Sequence, residues 1–254
     1  MMNMNSIKKF IPQRITSGLR RMRQSFEYGG HGRFCPVCSH YFQRFEAFGI
    51  VPREDARCVS CGAVERHRLF WLFLQRRTDL FAAPQQGKML HVAPESCFES
   101  RLREVVGKGY LTADLFAEGV DVKMDIRDIR FPDGSFDMIY CSHVLEHIPD
   151  DKQAMREFRR VLKSDGWAVL LVPITVEVTF EDPGITDPQE RLRLFGQEDH
   201  VRRYGPDYAD RLRAAGFSVS CILPRDFLSE REIEQMGITK AAGELFFCKP
   251  SQAS

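Results

Sequence analysis

The sequence predicts an α/β protein whose doubly wound, mostly parallel sheet is preceded by a small cysteine-rich module. Short apolar strands alternate with amphipathic helices from Lys88 onward, an order that favours a parallel sheet covered by helices on both faces. Before that point, residues 33–62 carry two closely spaced cysteine pairs in short polar stretches. With 254 residues, the chain is long enough for one well-packed domain and such a module.

These patterns divide the chain into four parts. Residues 1–32 form a basic arm that we expect to be flexible, and residues 33–62 form the cysteine-rich module. Residues 63–87 form a connecting helix and a linker; the wide apolar face of this helix predicts that it docks the module onto the main domain. Residues 88–250 form that main domain.

Apolar runs and turn residues predict the elements of the main domain. The predicted strands are 89–93, 109–114, 122–126, 136–141, 167–172, 217–223 and 244–248. Predicted helices begin at the capping box of Ser96, at Asp150 and at Pro206, and the segment 173–205 is expected to be irregular. Because ligands of parallel sheets bind beyond the carboxyl ends of the strands, polar residues at those ends are candidates for a binding site.

Two C-x-x-C pairs in the small module indicate a zinc site. Cys35 and Cys38 are followed, after 19 residues, by Cys58 and Cys61. Pairs at this separation can place four thiolates around one tetrahedral zinc ion, which leaves no open position for water. The sequence therefore predicts a zinc ribbon with a structural metal. Four further cysteines are scattered singly and are expected to be small buried hydrophobic residues: Cys97, Cys141, Cys221 and Cys248.

The formal net charge is +1, but the charged residues are unevenly distributed along the chain. Residues 1–79 contain 14 Lys/Arg and 6 Asp/Glu, whereas the rest of the chain is acidic. Such a cationic segment can attract RNA, acidic lipid or an acidic substrate, or it can be a solvated arm. Apolar residues spaced among the basic ones in residues 1–25 also allow peripheral contact with a membrane. A membrane-spanning run and a signal-peptide pattern are both absent from the sequence, which predicts a cytoplasmic protein with reduced cysteines.

Several motifs follow one another along the main domain. Asp114 ends the second predicted strand, residues 124–137 read MDIRDIRFPDGSFD, and residues 141–148 read CSHVLEHI. Residues 162–167 (LKSDGW) and 200–204 (HVRRY) come later. In order and spacing, these motifs resemble the small-molecule (type 11-like) group of class I methyltransferases that depend on S-adenosylmethionine. The resemblance implies a Rossmann-like methyltransferase fold and S-adenosylmethionine as cofactor.

The resemblance also implies which residues bind this cofactor. It assigns to the cofactor site Asp114, Leu115, Asp125, Ile126, Ser142 and His143. An acidic residue at the position of Asp114 can accept both ribose hydroxyls of a nucleoside. Asp125 is expected beside the adenine amino group, and the backbone of Ile126 is expected against the adenine ring.

The first loop of the main domain departs from the family pattern. The family has an acidic, glycine-rich loop of the form D-x-G-x-G, whereas this loop reads H-V-A-P-E-S. Glycine lets the backbone approach a ligand closely, and Pro94 has no N–H to donate. We therefore expect His91, Ala93 and Glu95 to hold the methionine end of the cofactor in another way. Glu95 would pair with the ammonium group, and the helix start at Ser96 would meet the carboxylate. The alternative is a site that no longer binds the cofactor.

Methyl transfer mainly requires alignment of the reactants and exclusion of water, and a hydroxyl or amine acceptor also needs a base. His143 follows the fourth strand and His200 lies in the segment expected to roof the pocket, so both are candidate catalytic residues. Glu146, His147 and Asp199 are further candidates for a base. A structural role is the alternative for each of the five.

Three functions remain open at this point. The segment 177–203 mixes acidic, basic and aromatic residues, which suits a polar acceptor. We expect that acceptor to be a small molecule, a sugar or a lipid intermediate. One alternative is an RNA methyltransferase whose zinc ribbon and basic arm bind phosphates. The other is a non-catalytic scaffold that keeps the fold.

Overall fold

The structure is a computed structural model that describes residues 27–82, 85 and 87–251. The predicted membrane contact through residues 1–25 and most of the predicted basic arm lie outside the described residues. No helix in the described part of the chain is long and apolar enough to cross a membrane.

The cysteine-rich module folds as two short antiparallel hairpins. Its strands are β1 (Arg33–Cys35), β2 (His40–Phe42), β3 (Glu46–Phe48) and β4 (Arg53–Arg57). Each cysteine pair lies on a tight turn, since the backbone N–H of Ser39 donates to the Cys35 carbonyl and that of Gly62 to the Cys58 carbonyl. Gly62 has a φ of 77°, a left-handed conformation that favours glycine.

Helix α1 (Glu65–Arg77) lies between this module and the main domain. The middle of this helix carries apolar side chains on nearly every side. These side chains belong to one continuous buried cluster that joins the helix to the module and to the sheet. Arg68 is fully buried in this contact. Its guanidinium donates to the carbonyls of Ala56, Ala63 and Gly237, and lies 4.2 Å from the centre of the Phe45 ring. One side chain thus links the module, α1 and the C-terminal part of the chain.

A seven-stranded sheet forms the centre of the main domain. Its strands are β5 (Met89–Val92), β6 (Tyr110–Asp114), β7 (Val122–Lys123), β8 (Phe136–Ser142), β9 (Leu162–Leu171), β12 (Phe217–Ile222) and β13 (Leu245–Pro250). Their order across the sheet is β12-β13-β9-β8-β5-β6-β7. The strands from β9 to β7 are parallel neighbours, whereas β13 is antiparallel to β9 and β12 is antiparallel to β13. The predicted mostly parallel, Rossmann-like sheet is confirmed.

Helices cover both faces of this sheet. The helices of the main domain are α2 (Ser96–Val106), α3 (Asp151–Val161), α4 (Pro188–Phe195), α5 (Tyr208–Ala214) and α6 (Glu230–Gln235). Met89 of β5 belongs to the buried cluster that contains α1 and α2, and its neighbour Leu90 belongs to the cluster that contains α3 and α5. Because successive side chains of a strand point to opposite faces, the two clusters lie on opposite sides of the sheet.

Four sequence predictions need correction. The third strand ends at Lys123 instead of residue 126, and β9 begins at Leu162 instead of residue 167. A shift of register between β8 and β9 accommodates this earlier start. The segment 173–205 contains α4 and the short strand pair β10 (Phe180–Glu181) and β11 (Arg202–Arg203). Cys221 is exposed, because it lies on the strand at the edge of the sheet.

Candidate functional site

A cleft of about 270 Å³ opens where the carboxyl ends of β5, β6 and β8 meet. We call it the sheet-end cleft. Six of the predicted site residues line it together: Ala93, Asp114, Leu115, Asp125, Ile126 and His143. The other predicted site residues, His91, Glu95, Ser142 and His200, are not among its lining residues. A groove of about 320 Å³ beside α3 and α5 does not reach the strand ends, where ligands of parallel sheets bind.

Two carboxylates hold fixed positions in the wall of the sheet-end cleft. One oxygen of Asp114 accepts the backbone N–H groups of Phe116 and Ala117, both at 2.7 Å. Asp125 accepts hydrogen bonds from both the backbone and the guanidinium of Arg127. The hydrogen bonds from the Arg127 side chain lower the pKa of Asp125 and so keep this carboxyl ionised. The cleft therefore carries a carboxylate at the end of each of two adjacent strands, and that of Asp125 is paired with Arg127.

The backbone turns sharply at the ends of β5 and β8. Ala93 has a φ of 49° and His143 has a φ of 55°, values in the left-handed region that residues other than glycine adopt at a cost of roughly 1–2 kcal/mol. The backbone N–H of Ala93 donates to the Ala113 carbonyl at 2.8 Å, which fixes the first loop against β6. This loop thus adopts at Ala93 a conformation that favours glycine, although it contains none.

Glu95 belongs to a buried network beneath the first loop. Its carboxylate lies 2.7 Å from Nε2 of His91 and 3.6 Å from Nε2 of His67, and the Tyr140 hydroxyl donates to it at 3.3 Å. Nδ1 of His91 lies 2.7 Å from the Tyr110 hydroxyl. Burial acts to raise the pKa of Glu95, but the hydrogen bond with His91, together with electrostatic interactions that include Arg66, outweighs it and lowers this pKa. The carboxylate thus already has partners within the chain, and its pairing with the cofactor ammonium group stays a prediction.

The buried imidazole of His67 predicts a pH-dependent stability. Burial lowers the pKa of His67 to about 3, whereas an unfolded chain has a histidine pKa of about 6.5. Between these values the unfolded chain binds a proton that the folded chain does not, so the free energy of unfolding falls as the pH falls. For this group alone the loss between about pH 7 and about pH 5 is about 2 kcal/mol.

Urea unfolding at the two pH values measures this loss. His67→Gln should show a smaller loss than the wild type, because glutamine does not titrate and can still accept the Val64 N–H that His67 accepts at the start of α1. His31→Gln is the control: His31 is exposed, so this variant should keep the full loss. If His67→Gln loses as much stability between the two pH values as the wild type does, His67 is not a cause of the pH dependence.

Histidines and acids from two segments form the roof of the sheet-end cleft. His147 and Asp199 line the cleft, with Nδ1 of His147 at 3.1 Å from a carboxylate oxygen of Asp199. His200 is buried behind them, and its ring centre is 4.6 Å from that of His147. Burial raises the pKa of Glu146 to about 8, and its Oε1 lies 3.5 Å from Nδ1 of His143. Of the two candidate catalytic residues, His143 lines the cleft. His200 does not line it, but its ring contacts that of His147, which does.

Several residues at or near the sheet-end cleft were not predicted from the sequence. Arg66 comes from α1, outside the main domain, and no motif pointed to it. Burial is the main cause of the low pKa of His143, and the charge of Arg66 lowers this pKa further. The same charge also acts to lower the pKa values of Glu95 and Glu146. Among the described residues its Nε is buried without a hydrogen-bond partner. The cleft-lining residues that were not predicted lie within or next to the quoted motifs: Val92, Phe116, Met124, Val144 and Ile148.

The four paired cysteines meet at one point of the module. Sγ of Cys35 lies 3.7 Å from Sγ of Cys61, and Sγ of Cys38 lies 3.7 Å from Sγ of Cys58. Four thiolates at 2.3 Å from a tetrahedral zinc ion are separated by about 3.8 Å. The observed spacing therefore fits the donor set of a closed zinc site.

Residues 86–170 match the family model of a methyltransferase domain. The uncharacterized methyltransferase YcgJ of Bacillus subtilis is 38% identical over 74 residues, which are 29% of this chain and 28% of that protein. The ajmaline N-methyltransferase of Rauvolfia serpentina is 29% identical over 86 residues, 32% of this chain and 30% of the enzyme. The matches thus span less than a third of the length of these relatives.

Solved structures resemble the chain over a longer stretch. The Burkholderia thailandensis 1,6-didemethyltoxoflavin-N1-methyltransferase has a TM-score of 0.49 and 12% identity, and the likeness covers 74% of this chain and 79% of that one. The YcgJ structure has a TM-score of 0.44 and 19% identity, with 72% and 94% covered. The family match, over residues 86–170, includes the strands whose ends form the sheet-end cleft.

Proposed function

We propose that the protein is an S-adenosylmethionine-dependent methyltransferase that acts on a small-molecule, sugar or lipid-intermediate acceptor. The observation that carries the proposal is the meeting of Asp114, Asp125, Ile126 and His143 at one cleft at the carboxyl ends of parallel strands. The match of residues 86–170 to a methyltransferase domain supports it.

The composition of the cleft fits the adenosine part of this cofactor. Asp114 would accept the ribose hydroxyls through the carboxylate oxygen that does not bind the loop N–H groups. Asp125 would lie at the adenine edge, with Ile126 and Met124 as apolar neighbours of the ring. When bound, the cofactor supplies a methyl group on a sulfonium. The chain has to position the acceptor, exclude water and accept a proton where the acceptor carries one.

Arg66 is our candidate for the methionine end of the cofactor. The first loop contains no glycine, and the carboxylate of Glu95 is engaged with His91. A guanidinium is a fitting partner for a cofactor carboxylate because it can donate two parallel hydrogen bonds. Two observations support this role: the charge of Arg66 acts on Glu95 and His143, and its buried Nε has no hydrogen-bond partner among the described residues.

Arg66→Ala should therefore weaken the binding of S-adenosylhomocysteine by about tenfold to a hundredfold, the loss expected for a hydrogen bond to a charged group. Titration calorimetry would measure it. The same variant should bind methylthioadenosine as tightly as the wild type does, because that nucleoside has no carboxylate. Arg76→Ala is the control, since Arg76 of the same helix pairs with Glu232 outside the cleft. An equal loss for both ligands, or none, would assign Arg66 another role.

We also propose that Cys35, Cys38, Cys58 and Cys61 bind a structural zinc ion. The sulfur separations support this assignment. With four thiolates around it, the ion would cross-link the two hairpins and have no open position for substrate.

The charges of the ribbon favour a small acceptor over RNA. Three of its arginines are paired with carboxylates of the same region, so their charge is largely compensated. These pairs are Arg33–Asp55, Arg53–Glu65 and Arg57–Glu46. A surface that grips phosphates needs uncompensated Lys and Arg side chains.

A cell extract incubated with the protein and methyl-labelled S-adenosylmethionine would identify the acceptor by mass spectrometry. The proposal predicts label in a small-molecule or lipid fraction, dependent on the wild-type protein and lost with Asp114→Ala. Label in nuclease-sensitive material would instead support the RNA alternative. The absence of protein-dependent label from every fraction would favour the non-catalytic scaffold.

A further inference from the structure

Two histidines and a glutamate meet above the sheet-end cleft. We call Glu146, His147 and His200 the roof cluster; one potential metal-ligand atom from each lies within 4.8 Å of the others. Glu146 and His147 belong to a 3-10 helix, Leu145–His147, that follows β8, whereas His200 precedes β11. The backbone N–H of Val201 donates to the Glu146 carbonyl at 2.9 Å and holds the two segments together.

Two polar atoms of the roof cluster are buried without a partner. Within the described part of the chain, Oε2 of Glu146 and Nε2 of His200 have no hydrogen bond. Glu146 is 1% exposed and His200 is 7% exposed, so solvent does not satisfy them. Buried polar atoms in folded proteins almost always have a partner, and a bound water or ion is one explanation of an exception. Both atoms belong to the same small cluster, which indicates one shared ligand.

The surroundings of His200 prepare its Nε2 to bind a cation. Nδ1 of His200 lies 3.2 Å from the Phe195 carbonyl, an acceptor to which only a protonated Nδ1 can donate. This hydrogen bond places the proton on Nδ1 and leaves the lone pair on Nε2. Metal-binding histidines characteristically donate their other ring N–H to a carbonyl or carboxylate in this way.

We propose that the roof cluster binds one divalent transition-metal cation through Glu146, His147 and His200. Two imidazoles and one carboxylate form a donor set that suits Zn²⁺ and its first-row neighbours. Ligands at about 2.1 Å from one cation are about 3–4 Å apart, so a small rotation of the side chains closes the cluster around it. The site is separate from the four-cysteine site.

The cation would lie on the acceptor side of the sheet-end cleft. His147 and Asp199 both line the cleft, and three protein ligands leave open coordination positions. Oε1 of Glu146 faces His143, which joins the cluster to the end of β8. The open coordination positions suit an acceptor that offers an oxygen or nitrogen atom to the cation. This role toward the acceptor rests on the proposed function, whereas binding of the cation does not.

Titration of the full, zinc-loaded protein with Co²⁺ tests the proposal. The wild type should bind about one cobalt per chain in addition to the ribbon zinc, with the visible absorption of a nitrogen and oxygen site. Thiolate charge-transfer bands, which would report exchange into the cysteine site, should be absent. His200→Ala and Glu146→Gln should each weaken cobalt binding by at least about tenfold, since even loss of an outer partner costs 10- to 100-fold.

His31→Ala is the matched control, because His31 is an exposed histidine of the ribbon. Melting curves without cobalt, in which Glu146→Gln keeps the shape of the side chain, separate lost binding from lost folding. A wild type that binds no second cation would overturn the proposal, as would a folded His200→Ala protein that binds cobalt as tightly as the wild type. Binding of S-adenosylhomocysteine by the same samples reports on the proposed function independently.

Discussion

Replacing Cys58 with Ser should remove about one zinc ion per chain, that of the four-cysteine site, and unfold the ribbon. Structural zinc sites contribute their binding free energy directly to folding, about 10–16 kcal/mol in isolated zinc fingers. The effect should extend beyond the ribbon, because Cys58 and Phe45 belong to the same buried cluster as α1. We expect a fall in melting temperature of at least about 5 °C, since a chain of this size loses about 2–4 °C per kcal/mol.

Metal analysis by mass spectrometry and thermal melting measure the two effects. Cys221→Ser is the matched control: Cys221 is exposed on the edge strand β12, so this variant should keep its zinc and its melting temperature. Full zinc content in the Cys58→Ser protein would contradict the four-thiolate site.

Replacing Asp114 with Ala should weaken the binding of S-adenosylhomocysteine by about 2–4 kcal/mol, or roughly 30- to 1000-fold in Kd. The variant removes the acceptor of two ribose hydroxyls. It should remain folded, because the side chain lies at the cleft and its loss removes only the hydrogen bonds to Phe116 and Ala117. Titration calorimetry measures the affinity, and thermal melting without ligand checks the fold.

Asp128→Ala is the matched control for Asp114→Ala. Asp128 comes after β7, the strand next to β6. It is exposed and pairs with Arg130 outside the cleft. Its loss should leave the affinity unchanged. If Asp114→Ala binds the nucleoside as tightly as the wild type does, the carboxylate only orders the loop after β6.

The sequence was informative where local pattern determines position. The apolar runs of β5, β6 and β8 predicted parallel strands, and the carboxyl ends of such strands lie side by side. For this reason Asp114 and His143, 29 positions apart in the sequence, could be expected at one cleft. The helix α4 was also encoded locally, by Asp187 before its first residue and Gly196 after its last, although it was not predicted.

Contacts between distant segments could not be predicted in this way. Glu95 was assigned to the cofactor, but its carboxylate is hydrogen-bonded to His91 and lies 3.6 Å from Nε2 of His67. The apolar face of α1 predicted that this helix docks onto the main domain, but it did not predict that His67 comes close to Glu95. Arg66 comes from the same helix, and its charge acts on His143 at the cleft. The meeting of Glu146 with His200 depends on how the long segment after β9 folds back over the cleft.

The central claim is that the sheet-end cleft binds S-adenosylmethionine, and thermal melting of the wild-type protein with S-adenosylhomocysteine tests it most directly. At a ligand concentration of about 100 times Kd, binding should stabilise the folded chain by about 2.7 kcal/mol. That corresponds to a rise in melting temperature of roughly 5–10 °C for a protein of this size. An unchanged melting temperature up to millimolar ligand would contradict the claim and leave the domain as a non-catalytic scaffold.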